Sequence, residues 1–161
     1  MASYQSRQRD PLLDSTTQAA IEKRGRELVG IGLFMAGVMV AMMLWSYAAD
    51  DPNFMSATDA PVQNWLGRPG ASFAAALFMI VGYASWALPV VLMAWGLRFT
   101  FHYGQGRALG RIIFAPIAIA IAAIYAATLN PSAAWDESFG LGGHFGDMVL
   151  SILLTILPFG A

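Results

Sequence analysis

Apolar and polar residues occupy long separate blocks along this chain, and the blocks predict membrane-spanning helices. Four apolar runs occupy about residues 28–47, 73–97, 112–129 and 146–161. The first run has twenty residues without a charged side chain, and a helix of that length is about 30 Å long, the thickness of a bilayer's hydrocarbon core. The fourth run is shorter than a crossing usually needs. The pattern therefore predicts an all-α integral membrane fold with three to four transmembrane helices, the fourth truncated, joined by short loops.

The polar residues ahead of the first run predict a separate segment. Residues 1–27 include Pro11 and end in a charged cluster from Glu22 to Glu27. We expect a disordered cytoplasmic tail that ends in a short, basic, helical juxtamembrane collar, followed by a four-helix transmembrane domain over residues 28–161. So long a polar leader does not fit a cleavable signal peptide, and we expect the first span to stay in the mature protein.

Small residues and prolines mark special positions within the runs. Gly82 and Pro89 interrupt the second run, and a proline that deep predicts a kink near residues 85–89, with Ser85 or a neighbouring helix satisfying the freed carbonyl. In the third run, small side chains recur every four positions and would let another helix approach closely. These candidate helix-packing residues are Ala118, Ala122 and Ala126.

The composition agrees with a membrane protein and excludes several kinds of site. The chain is 57% hydrophobic and 12% charged, whereas soluble domains are about 25% charged. Its formal net charge of -1 implies no surface for polyanions. The sequence contains no cysteine, which excludes disulfides, thiolate metal ligands and a cysteine nucleophile.

The placement of positive charges predicts the topology. Basic residues flank the first run and fill the connection after the second: Lys23, Arg24, Arg26, Arg98, Arg107 and Arg111. The other two connections carry mostly acids: Asp50, Asp51, Asp59, Asp136 and Glu137, against a single Arg68. Because positively charged loops stay in the cytoplasm, we expect a multi-pass membrane protein with a cytoplasmic N-terminus.

No residue pattern predicts catalysis, a cofactor or a metal. The sequence has no phosphate-binding glycine-rich loop followed by Lys and Ser or Thr. His102 and His144 are predicted on opposite sides of the membrane, so they cannot share a metal. Asp50, Asp51 and Asp59 could collect a divalent cation, but an Asp near Pro in a loop is usually a turn or cap residue. The first three runs carry no charge, which disfavours a transporter.

The order and spacing of several loop residues are similar to those of a known family. They are Ser46, Tyr47, Asp51, Pro52, Asn64, Gly67, Gly70, Ala71, Gly82, Gly140, Gly142, Gly143 and Gly146. From about Leu28 onward the chain resembles the N-terminal four-helix membrane domain of the FtsK/SpoIIIE family of bacterial DNA translocases. One departure is that residues 72–76 lack the acidic residue that the family often has there.

The resemblance implies a non-enzymatic function. In the family this domain anchors a translocase in the bacterial inner membrane, supports assembly of the division complex and links chromosome segregation to the septum, while a hexameric ATP-driven motor lies further along. It implies the lipid bilayer, division proteins and further copies as partners, with no direct nucleic acid contact from this segment. Within the first loop we select candidate partner-contact residues: Asp51, Pro52, Asn64, Trp65, Gly67 and Gly70.

One other class of function stays open from the sequence. The chain could be a stand-alone accessory subunit of a larger bacterial membrane enzyme complex, respiratory or photosynthetic, that packs against the spans of that complex. Such a subunit would co-purify with the complex in fixed stoichiometry, whereas a division anchor would not.

Overall fold

Within the described residues, every regular element is a helix. The computed structural model describes residues 14–56, 58–103, 113–133, 135 and 137–157. The α-helices are α1 (Ser15–Trp45), α2 (Gly67–Val81), α3 (Ala87–Thr100), α4 (Phe114–Ala127) and α5 (Gly143–Ile156). A 3-10 helix, Gly82–Trp86, joins α2 to α3. Several residues used in the predictions lie outside these ranges: the tail residues 1–13, Arg107, Arg111, Asp136 and residues 158–161.

The helices have the length and exposure of membrane helices. The 31-residue α1 is long and apolar enough to cross a bilayer. So is the 34-residue helical stretch Gly67–Thr100, which consists of α2, the 3-10 segment and α3. The helices α4 and α5 are shorter and also apolar. Only 22% of the most apolar window of α1 is buried inside the protein. A core helix of a soluble protein would be mostly buried, whereas apolar side chains that face outward suit lipid. The predicted all-α membrane fold is confirmed.

The first helix begins well before the first apolar run. It starts at Ser15, so the charged cluster that we assigned to a collar forms early turns of α1 itself. Within these turns Arg24 Nη1 donates to Glu27 Oε2 at 2.7 Å, a pairing of residues three apart that a helix brings together. The helix ends at Trp45, two residues before the predicted boundary.

The second apolar run is interrupted by a glycine, and the interruption begins earlier than predicted. Gly82 has φ 59°, a left-handed conformation that favours glycine, and the 3-10 segment begins there. Pro89, which we expected to cause the kink, lies in the first turn of α3, where its missing N–H has no intrahelical partner to lose. Among the described atoms Ser85 Oγ is buried without a hydrogen-bond partner, so it does not satisfy a freed carbonyl.

Glycines bring α1 and α3 into close contact. A Cβ at Gly30 would lie 2.5 Å from Thr100 N and 2.7 Å from Gly96 O. A Cβ at Gly96 would in turn lie 2.5 Å from Phe34 N, and one at Gly37 would lie 2.7 Å from Met93 Cγ. Because the later residue of α1 faces the earlier residue of α3, the two helices are antiparallel. The packing between them needs glycine, since contact in lipid depends on close approach of backbones.

Small residues also join α4 and α5. A Cβ at Gly146 would meet Ala123 C at 2.9 Å, and one at Gly142 would lie 2.8 Å from Ala127 Cβ. The predicted ridge lies beside this contact: Ala126 is buried, Ala122 is half-buried and Ala118 is exposed. Contact of the ridge with a further helix therefore stays a prediction.

Alanine substitutions at two glycines of α1 should have different effects on stability. Gly30→Ala puts a methyl group against the backbone of α3 and should lower the free energy of unfolding by about 1 to 3 kcal/mol, as overpacking does. Gly32 has nothing within 4 Å of its Cβ position, so Gly32→Ala should leave stability unchanged or raise it by up to about 1 kcal/mol through helix propensity. Thermal unfolding in detergent micelles, followed by circular dichroism, measures both. Equal losses would contradict the contact.

Candidate functional site at the loop end of the bundle

The predicted partner-contact residues lie at one end of the helices, which two connections cover. We call the connections 46–66 and 128–142 together the loop end. In the first of them, Asp51 is only 1% exposed. Its Oδ1 accepts from Gln63 N at 2.7 Å and its Oδ2 accepts from Asn64 N at 2.9 Å. Two backbone donors thus compensate for burial of the carboxylate and close the loop between residues 51 and 64.

Asn64 then links the end of α1 to the start of α2. Its Nδ2 donates to Met43 O at 2.8 Å and to Ser46 O at 3.3 Å, and its Oδ1 accepts from Leu66 N at 3.1 Å. The last carbonyls and the first amides of helices lack partners within the helix. One buried side chain, 5% exposed, therefore satisfies backbone groups at both helix ends.

Ser46 and Gly70 complete this junction. Ser46 Oγ donates to Met42 O at 2.8 Å and accepts from Trp65 N at 3.0 Å. A Cβ at Gly70 would collide with Asn64 Oδ1 and lie 2.5 Å from Leu66 Cβ. Glycine at this position is what lets the Asn64 side chain lie against α2.

The structure divides the predicted partner-contact residues into two groups. Asp51, Pro52, Asn64 and Gly70 are buried, and the hydrogen bonds of Asp51 and Asn64 hold the loop together. Trp65 is 63% exposed, and Gly67 is half-buried with φ 67°. A role in partner contact stays a prediction, and of these residues Trp65 offers by far the most surface to a partner.

The second connection is attached to the first through Tyr47, which the site prediction did not include. Tyr47 Oη donates to Glu137 Oε1 at 2.5 Å. Burial raises the pKa of the Tyr47 hydroxyl, and the hydrogen bond and negative charge of Glu137 raise it further, so the tyrosine stays neutral. These two residues are 90 positions apart, and no spacing rule could have paired them.

Aromatic rings fill the space between the connections. Tyr47 stacks on Phe78 with ring centroids 4.6 Å apart, and Tyr83 lies 5.0 Å from Trp135. Trp135 Nε1 donates to Phe139 O at 2.6 Å, so the indole N–H is satisfied. Met43, Leu44 and Ala74 complete this core cluster. Aromatic side chains bury large areas and stabilise such contacts.

Two glycines with positive φ join the second connection to the break in the helical stretch. A Cβ at Gly82 would lie 2.6 Å from Gly143 N, and one at Gly143, with φ 64°, would lie 2.7 Å from Ile80 O. Tyr83 N donates to Leu141 O at 2.9 Å. The glycine-rich run that contributed to the family resemblance therefore makes backbone-to-backbone contact with the break.

Polar residues around the start of α5 make local contacts. Asp147 Oδ2 accepts from Gly140 N at 2.8 Å, so this carboxylate holds the loop before α5. His144 packs its ring 5.4 Å from that of Phe139. In the part of the chain that the structure describes, no three His, Asp or Glu residues are grouped to hold a metal ion.

An amide-to-acid change at Asn64 tests the junction. Asn64→Asp keeps an acceptor for Leu66 N but removes the donor to Met43 O and turns a carboxylate toward carbonyl oxygens. We expect the free energy of unfolding to fall by about 1 to 3 kcal/mol, the usual loss for an unsatisfied buried group. The matched control is Gln63→Glu, the same change at an exposed neighbour, which should stay within about 0.5 kcal/mol of the original chain. Thermal unfolding measures both, and a harmless Asn64→Asp would contradict the capping role.

Comparison with known proteins gives a consistent result. The family described as the 4TM region of DNA translocase FtsK/SpoIIIE matches residues 22–161. The DNA translocase FtsK of Azospirillum brasilense is 29% identical over 152 residues, which cover 93% of this chain and 24% of the relative. The DNA translocase FtsK of Brucella suis is 36% identical over 125 residues, 78% of this chain and 15% of the relative. The DNA translocase FtsK of Mesorhizobium japonicum is 34% identical over 135 residues, which cover 84% of this chain and 15% of the relative.

These matches concern only one part of the relatives. The chain spans about a quarter or less of the length of the translocases named above. No solved structure matches it. The matched part is the membrane-anchoring region of the translocases, and their motor lies elsewhere. With the match extending over residues 22–161 and an all-helical membrane fold, the chain belongs to the family of the four-helix membrane region of DNA translocase FtsK/SpoIIIE.

Proposed function

We propose that this domain is the anchor and assembly module of a cell-division DNA translocase and links chromosome segregation to the division septum. The family match over residues 22–161 is the observation that carries the proposal. The domain holds the translocase in the bacterial inner membrane and presents the loop end to other membrane proteins of the division complex. DNA is handled by the motor and not by this domain.

The loop end has the properties of an assembly surface. Its first connection is fixed from inside by Asp51 and Asn64, so the loop needs little ordering when it binds. Its outer side exposes large apolar side chains: Phe54 is 69% exposed, Met55 46% and Trp65 63%. Aromatic and methionine side chains are enriched at protein interfaces, and tryptophan is a frequent hot-spot residue.

The proposed orientation has a cytoplasmic N-terminus and the loop end outside. The antiparallel packing of α1 and α3 supports it, because the basic residues near the start of α1 and at Arg98 then lie at the same end of the bundle. His102 Nε2 lies 3.9 Å from Glu27 Oε1, so the two segments are adjacent there. Positive charge gathered at one end of the spans favours the cytoplasmic side.

Cysteine labelling tests the orientation on a chain that has no cysteine of its own. In intact spheroplasts a membrane-impermeant maleimide should label Ser56→Cys, at the exposed loop end, and should label Thr17→Cys, near the start of α1, only after the membrane is opened. Label on Thr17→Cys in intact spheroplasts, with none on Ser56→Cys, would reverse the assignment. Equal labelling at both sites would contradict the topology.

Placement in the cell tests the function. A fluorescent fusion of the domain should concentrate at the division site, and Trp65→Ala should reduce that enrichment by about half or more, as loss of a hot-spot side chain would. The control is Phe101→Ala, which removes an aromatic ring 59% exposed beyond the end of α3 and should leave the enrichment unchanged. Fluorescence microscopy of dividing cells gives the measurement. An even distribution around the membrane, or fixed-ratio purification with a respiratory complex, would overturn the proposal.

A further inference from the structure

The loop end contains an open pocket lined mostly by aromatic residues. A cavity of about 530 Å³ lies between the end of α1, the 3-10 segment and the second connection. Most of its wall is aromatic: Trp45, Tyr47, Phe78, Tyr83, Trp86 and Trp135. Two carboxylates, of Asp50 and Glu137, also line it, and none of its described lining residues is basic. The assembly role proposed above makes no use of this pocket.

The aromatic walls suit a positive charge. Trp45 and Trp86 meet edge to face, with ring centroids 6.2 Å apart and planes at 87°. The rings of Tyr83 and Trp135 are 5.0 Å apart and tilted by 35°. The face of an aromatic ring carries negative potential and attracts an ammonium group, and tryptophan does so most strongly. Aromatic rings around one cavity are the known means of binding ammonium ligands, quaternary ones above all. Carboxylates beside the rings favour a primary ammonium, because it has N–H groups to donate and a quaternary one has none.

The carboxylates add to the negative potential. Glu137 Oε1 accepts the hydrogen bond of Tyr47. The other oxygen, Oε2, has lone pairs for a further donor. Asp50 is exposed at the mouth. An entering cation would thus meet two acids and several aromatic rings.

The position of the pocket indicates where the cation comes from. Trp45 is the last residue of α1 and is 73% exposed. An exposed tryptophan at the end of an apolar span is typical of the layer in which lipid headgroups lie. A ligand at that depth is within reach of lipid, and its acyl chains can stay along the apolar surface of α1.

We propose that the pocket binds the primary ammonium headgroup of a zwitterionic phospholipid of the phosphatidylethanolamine type. The ammonium group enters between the aromatic rings and donates to Asp50 and Glu137, while the phosphate stays at the membrane surface. The proposal requires that the domain lies in a membrane, and it does not depend on the proposed division function.

A titration with three probes tests it. The purified chain in nonionic detergent micelles is titrated with short-chain phosphatidylethanolamine, phosphatidylglycerol or free ethanolamine, and tryptophan fluorescence is followed. We expect saturable binding of phosphatidylethanolamine and none of phosphatidylglycerol, which lacks the ammonium. Free ethanolamine should bind at least about tenfold more weakly, because it has no acyl chains to bury. Equal binding of the two lipids, or ethanolamine as tight as the lipid, would overturn the proposal.

Matched variants locate the site. Trp45→Leu removes an exposed ring of the pocket and should weaken phosphatidylethanolamine binding about fivefold. Asp50→Asn combined with Glu137→Gln should weaken it about tenfold, while the amide oxygen introduced by Glu137→Gln still accepts from Tyr47. Trp65→Leu and Asp59→Asn change the same residue types outside the pocket and should have no effect. Thermal unfolding confirms that each variant is folded.

Two single variants at exposed positions test the pocket even if the double variant fails to fold. Trp45 and Asp50 are exposed, so their single substitutions should leave the fold intact and test the pocket alone. If both single variants bind phosphatidylethanolamine like the original chain, the pocket is not the site. If the Trp65→Leu control weakens binding as much as Trp45→Leu, the lipid binds elsewhere on the loop end and the proposal is wrong.

Discussion

Satisfying the backbone groups at helix ends is the constraint on which the rest of this structure depends. Near an apolar phase, a carbonyl or amide without a partner destabilises the fold by several kcal/mol in the membrane core and about 1 to 3 kcal/mol in a protein interior. Here Asn64 satisfies groups at the end of α1 and the start of α2 at once. Asp51 holds Asn64 in place by accepting from its N–H. Loss of either side chain would leave several of these backbone groups without a hydrogen-bond partner.

A second constraint is how closely the helices approach. Lipid provides no hydrophobic force between helices, so packing depends on surfaces that fit at short range. Gly30 and Gly96 bring α1 and α3 together, and Gly82 and Gly143 bring the break in the helical stretch against the start of α5. Each pair replaces side-chain contact with backbone contact. Because glycines occupy these close contacts, the larger side chains face lipid or the loop end.

The loop end combines a fixed interior with two different outer features. Its hydrogen-bonded interior keeps the first connection in one conformation, and Tyr47 attaches the second connection to it through Glu137. On one part of the surface, apolar side chains such as Trp65 are exposed. Elsewhere, aromatic rings and carboxylates surround the pocket. The proposed protein contact and the proposed lipid contact thus use separate surfaces at one end of the helices.

The sequence by itself determined the class of fold, because long uncharged apolar runs such as 28–47 have no stable alternative to a membrane helix. Local chemistry also indicated that Asp51 is a turn or cap residue. Its partners, the amides of Gln63 and Asn64, could not be predicted, since such contacts, like that of Tyr47 with Glu137, join residues far apart in the chain. The second run is interrupted from Gly82 onward, ahead of the kink predicted near residues 85–89, and there a backbone with positive φ lies against Gly143, a tertiary contact that the sequence does not reveal. Residue types and periodicity determined the helices, and only three-dimensional packing decided which helix ends meet.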